Sequence, residues 1–314
     1  MTTGHREVEH EITVSAPASA VYRLIADVAN WPRIFPPTIY VDHLEESGNE
    51  ERIRISATAN GEAKTWTSRR ALDPQGLRID FRQEVSAPPV ASMGGAWVIE
   101  PLDDAESRIR LLHDYQALGD DPGSLTWIDE AVDRNSRSEL AALKDNVEFA
   151  HAAEDVTFSF TDTVRVDGSP KDLYDFVNDA HLWPERLPHV ASVTLAEDTP
   201  GLQTLEMETR AKDGSVHTTK SYRVCVEHRK IAYKQTTLPA LMKLHTGYWT
   251  FEEGPGDGTT ASSQHTVVLN TDNIARILGE DATVDDAKAY VQGALSTNSL
   301  ATLNHAKRYA EGVR

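Results

Sequence analysis

Trp66, Ser68 and Arg70 stand two apart in Lys64-Thr-Trp-Thr-Ser-Arg-Arg70, so on a strand they share one face, while Thr65, Thr67 and Arg69 take the other. That face carries a flat apolar ring, a hydroxyl and a fixed cation. In a cavity wall the guanidinium would hold carbonyl or enolate oxygens through its fork of donors. The hydroxyl would position a water, relay a proton or simply fill space. An inward arginine must otherwise be paired, because an isolated buried charge is expensive, and Glu84 or Asp114 would serve. Asn135 is expected where the last helix of this half meets the cavity, with an amide able to donate to a carbonyl. Trp31, Trp66, Trp97 and Met93 would be core, or walls for a long, flat, oxygenated ligand.

Other chemistries fit poorly. Twelve histidines are present, yet none falls in a metal-ligand spacing such as His-Glu-x-x-His, and Cys225 alone cannot build a thiolate cluster. Ser92-Met-Gly-Gly-Ala-Trp97 lacks dinucleotide and P-loop spacing and reads as a strand entry. Ser68 has no glycine-flanked elbow of the hydrolase kind. The net charge of -18 argues against nucleic acid as a partner, since such binders present a basic face.

The elements that would position these residues occur twice. Val14 to Val41, with Tyr22, Asp27, Trp31-Pro32 and Pro36, lines up with Val166 to Val193, with Tyr174, Asp179, Trp183-Pro184 and Pro188. The shift, 166 − 14 = 152, runs on through Thr67/Thr219, Gln83/Gln235, Gly95/Gly247, Trp97/Trp249 and His113/His265. Asn135-Ser136 matches Asn298-Ser299 at 163, so eleven residues are gained before the last helix (163 − 152 = 11). Two copies of one domain follow, residues 1–150 and 156–314, joined around His151 to Asp155.

Each copy predicts a first strand (Val8 to Val14), a helix with Val21, Leu24, Ile25 and Val28 on one face, and a corner at Trp31-Pro-Arg-Ile-Phe-Pro-Pro37, where proline ends the helix. Alternating segments separated by turn signals such as Asn60-Gly61 and Asp73-Pro74-Gln75-Gly76 come next. A long amphipathic stretch, Leu125 to Ala150, closes the unit. The fold class is α+β: a curved antiparallel sheet gripping one long C-terminal helix, with a ligand-sized cavity between them. Strand parity points Ile79, Phe81 and Gln83, and Ile109, Leu111, His113 and Tyr115, into that cavity. On the ungapped diagonal Ser68 and Arg70 become Lys220 and Tyr222 in the second copy. That copy adds His189 after its Trp-Pro corner, His265 on its last strand, and His217 and His245 nearby.

Neither a signal peptide nor a membrane-length apolar run is evident, and one cysteine suits a reducing cytoplasm.

Trp31-Pro-Arg-x-Phe35, Trp66-x-Ser-x-Arg70 followed by Asp73-Pro74, Trp97 and Arg134-Asn-Ser-Arg137 resemble the aromatase/cyclases of bacterial type II polyketide synthases, over the whole chain and most like the di-domain members of reducing pathways. The resemblance implies a helix-grip fold shared with lipid-transfer and birch-pollen-allergen domains. It implies cofactor-free aldol closure and dehydration of the first ring of a poly-β-ketone carried on the phosphopantetheine of an acyl carrier protein, beside other synthase components. It further implies that Arg70 polarises a carbonyl and that Ser68 and Asn135 orient water or oxygens. The implied substrate walls are Trp31, Phe35, Trp66, Phe81, Gln83, Met93, Trp97 and His113. In the second copy they are Trp183, Tyr222, Gln235, His245, Trp249, His265 and Asn298, with His189 and Lys220 as catalytic candidates. A tyrosine that follows the Trp-Pro corner in single-domain relatives is replaced by Thr38. The alternative from another class is a non-catalytic carrier of a hydrophobic or aromatic ligand. On the catalytic expectation, Arg70→Ala abolishes aromatised product and leaves the fold intact.

Overall fold

The structure is a computed structural model that describes residues 4–59, 61–152, 156–210, 214, 216–254 and 258–312. The chain divides into two compact units, Met1–Ala153 and Glu154–Arg314. Most of the expected junction, like Asn60 of the expected turn, lies outside the described residues.

In the first unit, β1 (His5–Val14) leads into α1 (Ala18–Ala26) and α2 (Trp31–Ile34). Then come β2 (Thr38–Ser47), β3 (Glu50–Ala59), β4 (Glu62–Asp73), β5 (Arg78–Gln83), β6 (Val90–Pro101), β7 (Ser107–Ala117) and α3 (Pro122–Ala152). The sheet order is β1-β7-β6-β5-β4-β3-β2, and neighbouring strands pair antiparallel throughout the described residues. α1 and α2 therefore carry the chain from one edge of the sheet to the other. Val21 and Ile25 of α1 are fully buried, Pro32 sits in the first turn of α2, and the 31-residue α3 packs on β1 and β7.

The second unit repeats this. It runs β8 (Thr157–Val166), α4 (Pro170–Asn178), α5 (Trp183–Arg186), β9 (Val190–Thr199), β10 (Leu202–Arg210), β11 (Val216–Val226), β12 (Lys230–Thr237), β13 (Met242–Glu253) and β14 (Thr259–Leu269). Its sheet order is β8-β14-β13-β12-β11-β10-β9. The inserted residues form α6 (Ile274–Leu278), and α7 (Val284–Ala310) starts from a capping box made by Thr283 and Asp286.

The ungapped diagonal fails at one strand. Glu51 pairs with Arg70 and Ser68 with Gln83, whereas Gln203 pairs with Arg223 and Ser221 with Gln235. The shifts are 203 − 51 = 152, 223 − 70 = 153 and 235 − 83 = 152. One residue is gained between β10 and β11 and lost in the turn before β12. Ser68 and Arg70 therefore correspond to Ser221 and Arg223, and not to Lys220 and Tyr222.

Gly95 on β6 and Gly247 on β13 bring backbones together. A Cβ on Gly95 would lie 1.9 Å from the Leu112 carbonyl oxygen, and one on Gly247 2.2 Å from that of Gln264. Neither atom is a movable side-chain end, so Gly95→Ala is expected to cost about 1–3 kcal/mol as an overpacked site. Chemical denaturation of the full chain would show it as a lowered midpoint of one transition.

Candidate functional site

Two apolar clusters hold α3 against the sheet of the first unit. One gathers Ile25, Phe35, Trp97, Leu140, Leu143 and Val147; the other gathers Tyr115, Leu125, Ile128 and Val132 with Met93 against it. Between them, inward positions stop being fully buried: Phe81, Gln83, Met93, His113 and Glu139 all keep accessible surface. Trp66, packed on Val28, Ile53 and Ile55 beside this gap, also keeps some. Polar and aromatic groups line the opening. The Phe81 ring meets the His113 ring edge-on at 5.6 Å, the Gln83 amide reaches Met93 Sδ at 3.9 Å, and His113 Nδ1 lies 3.4 Å from Ser136 Oγ. Burial holds His113 down to about 4, so its imidazole is neutral at neutral pH.

The second unit builds the same constellation with more polar residues. Tyr233, Gln235, His245 and His265 stand where Phe81, Gln83, Met93 and His113 stand, and Ser299 replaces Ser136. His245 Nε2 and His265 Nδ1 are 2.9 Å apart, Gln235 Oε1 is 2.9 Å from His245 Nδ1, and Ser299 Oγ is 2.7 Å from His265 Nε2. The Tyr233 hydroxyl lies 2.9 Å from His265 Nδ1. Desolvation pushes both histidines well below their ordinary value and the Tyr233 phenol well above its own.

Arg70 is buried as expected, but its partner is neither Glu84 nor Asp114. Glu84 takes Arg52 and Arg69, and Asp114 takes Arg82. Arg70 Nη1 sits 2.8 Å from Glu51 Oε1, close for an ion pair though poorly aligned as a hydrogen bond. Its Nη2 donates to the Ile25 and Ala26 carbonyls at 3.0 and 3.2 Å, and its guanidinium lies over the Trp31 ring at 5.1 Å. Desolvation lowers Arg70 to about 10, which leaves it charged at neutral pH. Arg223 repeats the carbonyl and ring contacts, with Gln203 in place of Glu51: it donates to the Val177 carbonyl at 2.7 Å with Trp183 beneath it at 5.4 Å. The arginine therefore locks the Trp-Pro corner to the sheet in both units.

Other expected positions are corrected. Ser68 is buried with its hydroxyl donating to the Arg82 carbonyl at 3.0 Å. Asn135 is exposed, because one residue is a 100° turn on a helix and it is Ser136 that faces inward. Lys220 lies on the face of β11 opposite Ser221 and Arg223, paired with Glu206 at 2.7 Å, and Tyr222, although buried, shares the face of Lys220. Trp31, Phe35, Trp97, Trp183 and Trp249 belong to the packed cores. His189 and Asn298 are half-buried, and His189 is lowered by desolvation and then by His305. His217 is exposed. Sequence reasoning missed Glu51, Ser136, Glu139, Arg223, Tyr233 and Ser299. The Asn60-Gly61 hairpin carried a signal for the first: pairing across it puts 51 opposite 70.

Models of a family described as polyketide cyclase / dehydrase and lipid transport match residues 5–148 and 166–287. The granaticin polyketide synthase bifunctional cyclase/dehydratase of Streptomyces virginiae is 58% identical over 302 residues, 96% of this chain and 98% of that one. The chain belongs to the polyketide cyclase/dehydratase family. The family's actinorhodin polyketide synthase bifunctional cyclase/dehydratase from Streptomyces coelicolor is 44% identical over 313 residues, 96% of each chain. Among solved structures, the di-domain ARO/CYC BexL from the BE-7585A pathway superposes with a TM-score of 0.91 at 66% identity, covering 98% of this chain and 99% of that one. StfQ, the di-domain ARO/CYC of the steffimycin pathway, gives 0.88 at 34% identity, covering 97% and 98%. Tandem helix-grip units are thus the architecture of this cyclase/dehydratase. No described helix is long and apolar enough to cross a membrane.

Proposed function

We propose that the protein is a polyketide aromatase/cyclase that closes and dehydratively aromatises the first ring, of C7–C12 type, of a poly-β-ketone. The cluster of partly accessible inward residues around His113 carries this reading, in a chain that matches a cyclase/dehydratase over 96% of its length. The domains would be residues 1–150 and 156–314, with the first unit holding a working pocket. A flexible polyketone is bent against Trp66, Phe81 and Met93, whose apolar surface excludes water. The Gln83 amide donates to a ketone oxygen and stabilises the enolate. Neutral His113, oriented by Ser136, takes the proton from the carbon between two carbonyls, that carbon attacks a distant ketone carbon, and the resulting alkoxide takes the proton back from His113 to become the hydroxyl. Arg70 acts as a positioning residue, through the corner it holds. The substrate would arrive on the phosphopantetheine of an acyl carrier protein, alongside other synthase components, in the cytoplasm.

Reconstitution with a minimal synthase, with and without ketoreductase, tests the reading. His113→Ala in the full chain is expected to slow first-ring product about 100-fold, the usual size of a lost general base. An unchanged product pattern on omitting the protein altogether would instead make it a carrier.

A further inference from the structure

Glu139 is a half-buried carboxylate beside the inward stripe of α3, next to buried Ser136, Leu140 and Leu143; Asp129, another half-buried carboxylate of this helix, accepts from the Tyr115 hydroxyl at 2.6 Å. Glu139 follows Ser136 by three residues and precedes Leu143 by four, so it lies on the same face, one turn from the serine that touches His113. A carboxylate on such a face would normally be paired, yet among the described residues Glu139 has neither hydrogen bond nor ion pair. Most titratable groups on the elements packed against α3 are engaged elsewhere, although Arg33 Nε has no partner among the described residues. Arg6 of β1 and Tyr115 of β7 meet Asp129 at 3.7 and 2.6 Å. His10 of β1 meets Asp133 at 2.9 Å, Arg33 of α2 donates to Asn30 Oδ1 at 3.1 Å, and His113 of β7 meets Ser136. On α3 itself Arg137 pairs with Asp133 and Lys144 with Glu148. Nor is the carboxyl needed for the fold: the matching residue of the second unit (139 + 163 = 302) is Thr302, whose hydroxyl is spent on the Asn298 carbonyl at 3.0 Å.

We propose that Glu139 is the proton donor for the dehydration step in the first unit, acting on the β-hydroxy ketone left by ring closure. The inference rests on the first-unit reading above. His113 removes the proton alpha to the ketone, the C–H electrons form the new C=C bond, and the C–O bond breaks as the Glu139 carboxylic acid protonates the departing hydroxyl. Water leaves, with Glu139 as carboxylate and His113 as imidazolium, and one proton passed between them through solvent restores both. Desolvation without a compensating cation pushes Glu139 up to about 7, while burial holds His113 near 4, so one group is the acid and the other the base.

The test uses the full chain with a poly-β-ketone made in situ by a minimal synthase, so that the β-hydroxy ketone arises from ring closure, and follows its dehydration from pH 5 to 9. Glu139→Gln keeps the shape and removes the proton. It is expected to lower the rate about 100-fold, and to abolish the fall in wild-type rate above about pH 7. Glu139→Asp should restore part of both. In the ligand-free protein, infrared difference spectra should show a carboxyl titrating near neutrality that Glu139→Gln lacks; a merely structural residue would lose that band but leave the pH limb unmoved. Glu139→Gln with wild-type rate and limb, while His113→Ala is inactive, overturns the donor assignment alone. Wild-type behaviour of both variants overturns the first-unit reading as well.

Discussion

Arg70→Ala is expected to unfold the first unit before it reveals anything about chemistry. The substitution leaves Glu51 buried without its cation and frees the Ile25 and Ala26 carbonyls inside the protein. Breaking one partner of a buried pair costs about 3–5 kcal/mol, against about 0–1 kcal/mol for an exposed one. With side-chain exposures of 1% and 6%, Arg70 and Glu51 belong to the first class. Urea unfolding followed by tryptophan fluorescence should show one transition shifted to lower denaturant, since Trp31 lies under the guanidinium. Replacing both partners, Arg70→Met with Glu51→Leu, should recover much of the loss by removing the orphaned charge. Arg70→Ala with an unchanged midpoint and no product would restore the view of Arg70 as a substrate anchor.

Acid should act first on the second unit. His245 and His265 are held neutral in the fold, well below the ordinary histidine value of about 6.5 that applies once the chain unfolds. As pH falls below about 6.5 the unfolded state takes up protons that the folded state refuses, so stability is lost at up to about 1.4 kcal/mol per histidine per pH unit. Between pH 6.5 and 4.5 the pair together forfeits up to about 5 kcal/mol. In the first unit the signs oppose. His113 behaves likewise, but Glu139, raised from its ordinary value to about 7, binds its proton more tightly when folded and gains stability as pH falls from neutral toward the unfolded carboxyl value. Denaturation at pH 7 and 5 should therefore show the second unit's transition falling much further. His245→Gln with His265→Asn should flatten that difference; an equal response of both units would contradict the buried-network account.

The duplication, the α+β class, the strand parity that turned Ser68, Arg70, Phe81 and His113 inward, and the Trp-Pro corners were legible in the residues alone. They depend on local rules: a two-residue period along strands, proline ending a helix, and the same pattern occurring twice. What the tertiary structure decided was who meets whom. Glu51 claims Arg70 through strand register, so a residue that looked like a substrate anchor became a strut. A one-residue gain and loss around β11 moved its counterpart from Tyr222 to Arg223, which an ungapped diagonal cannot detect. On α3, rotation about the helix axis put Asn135 in water and Ser136 on the histidine. Nothing in the sequence marked Glu139 either, because the protonation of a carboxylate depends on the absence of nearby cations and water, a property only the packed surroundings possess.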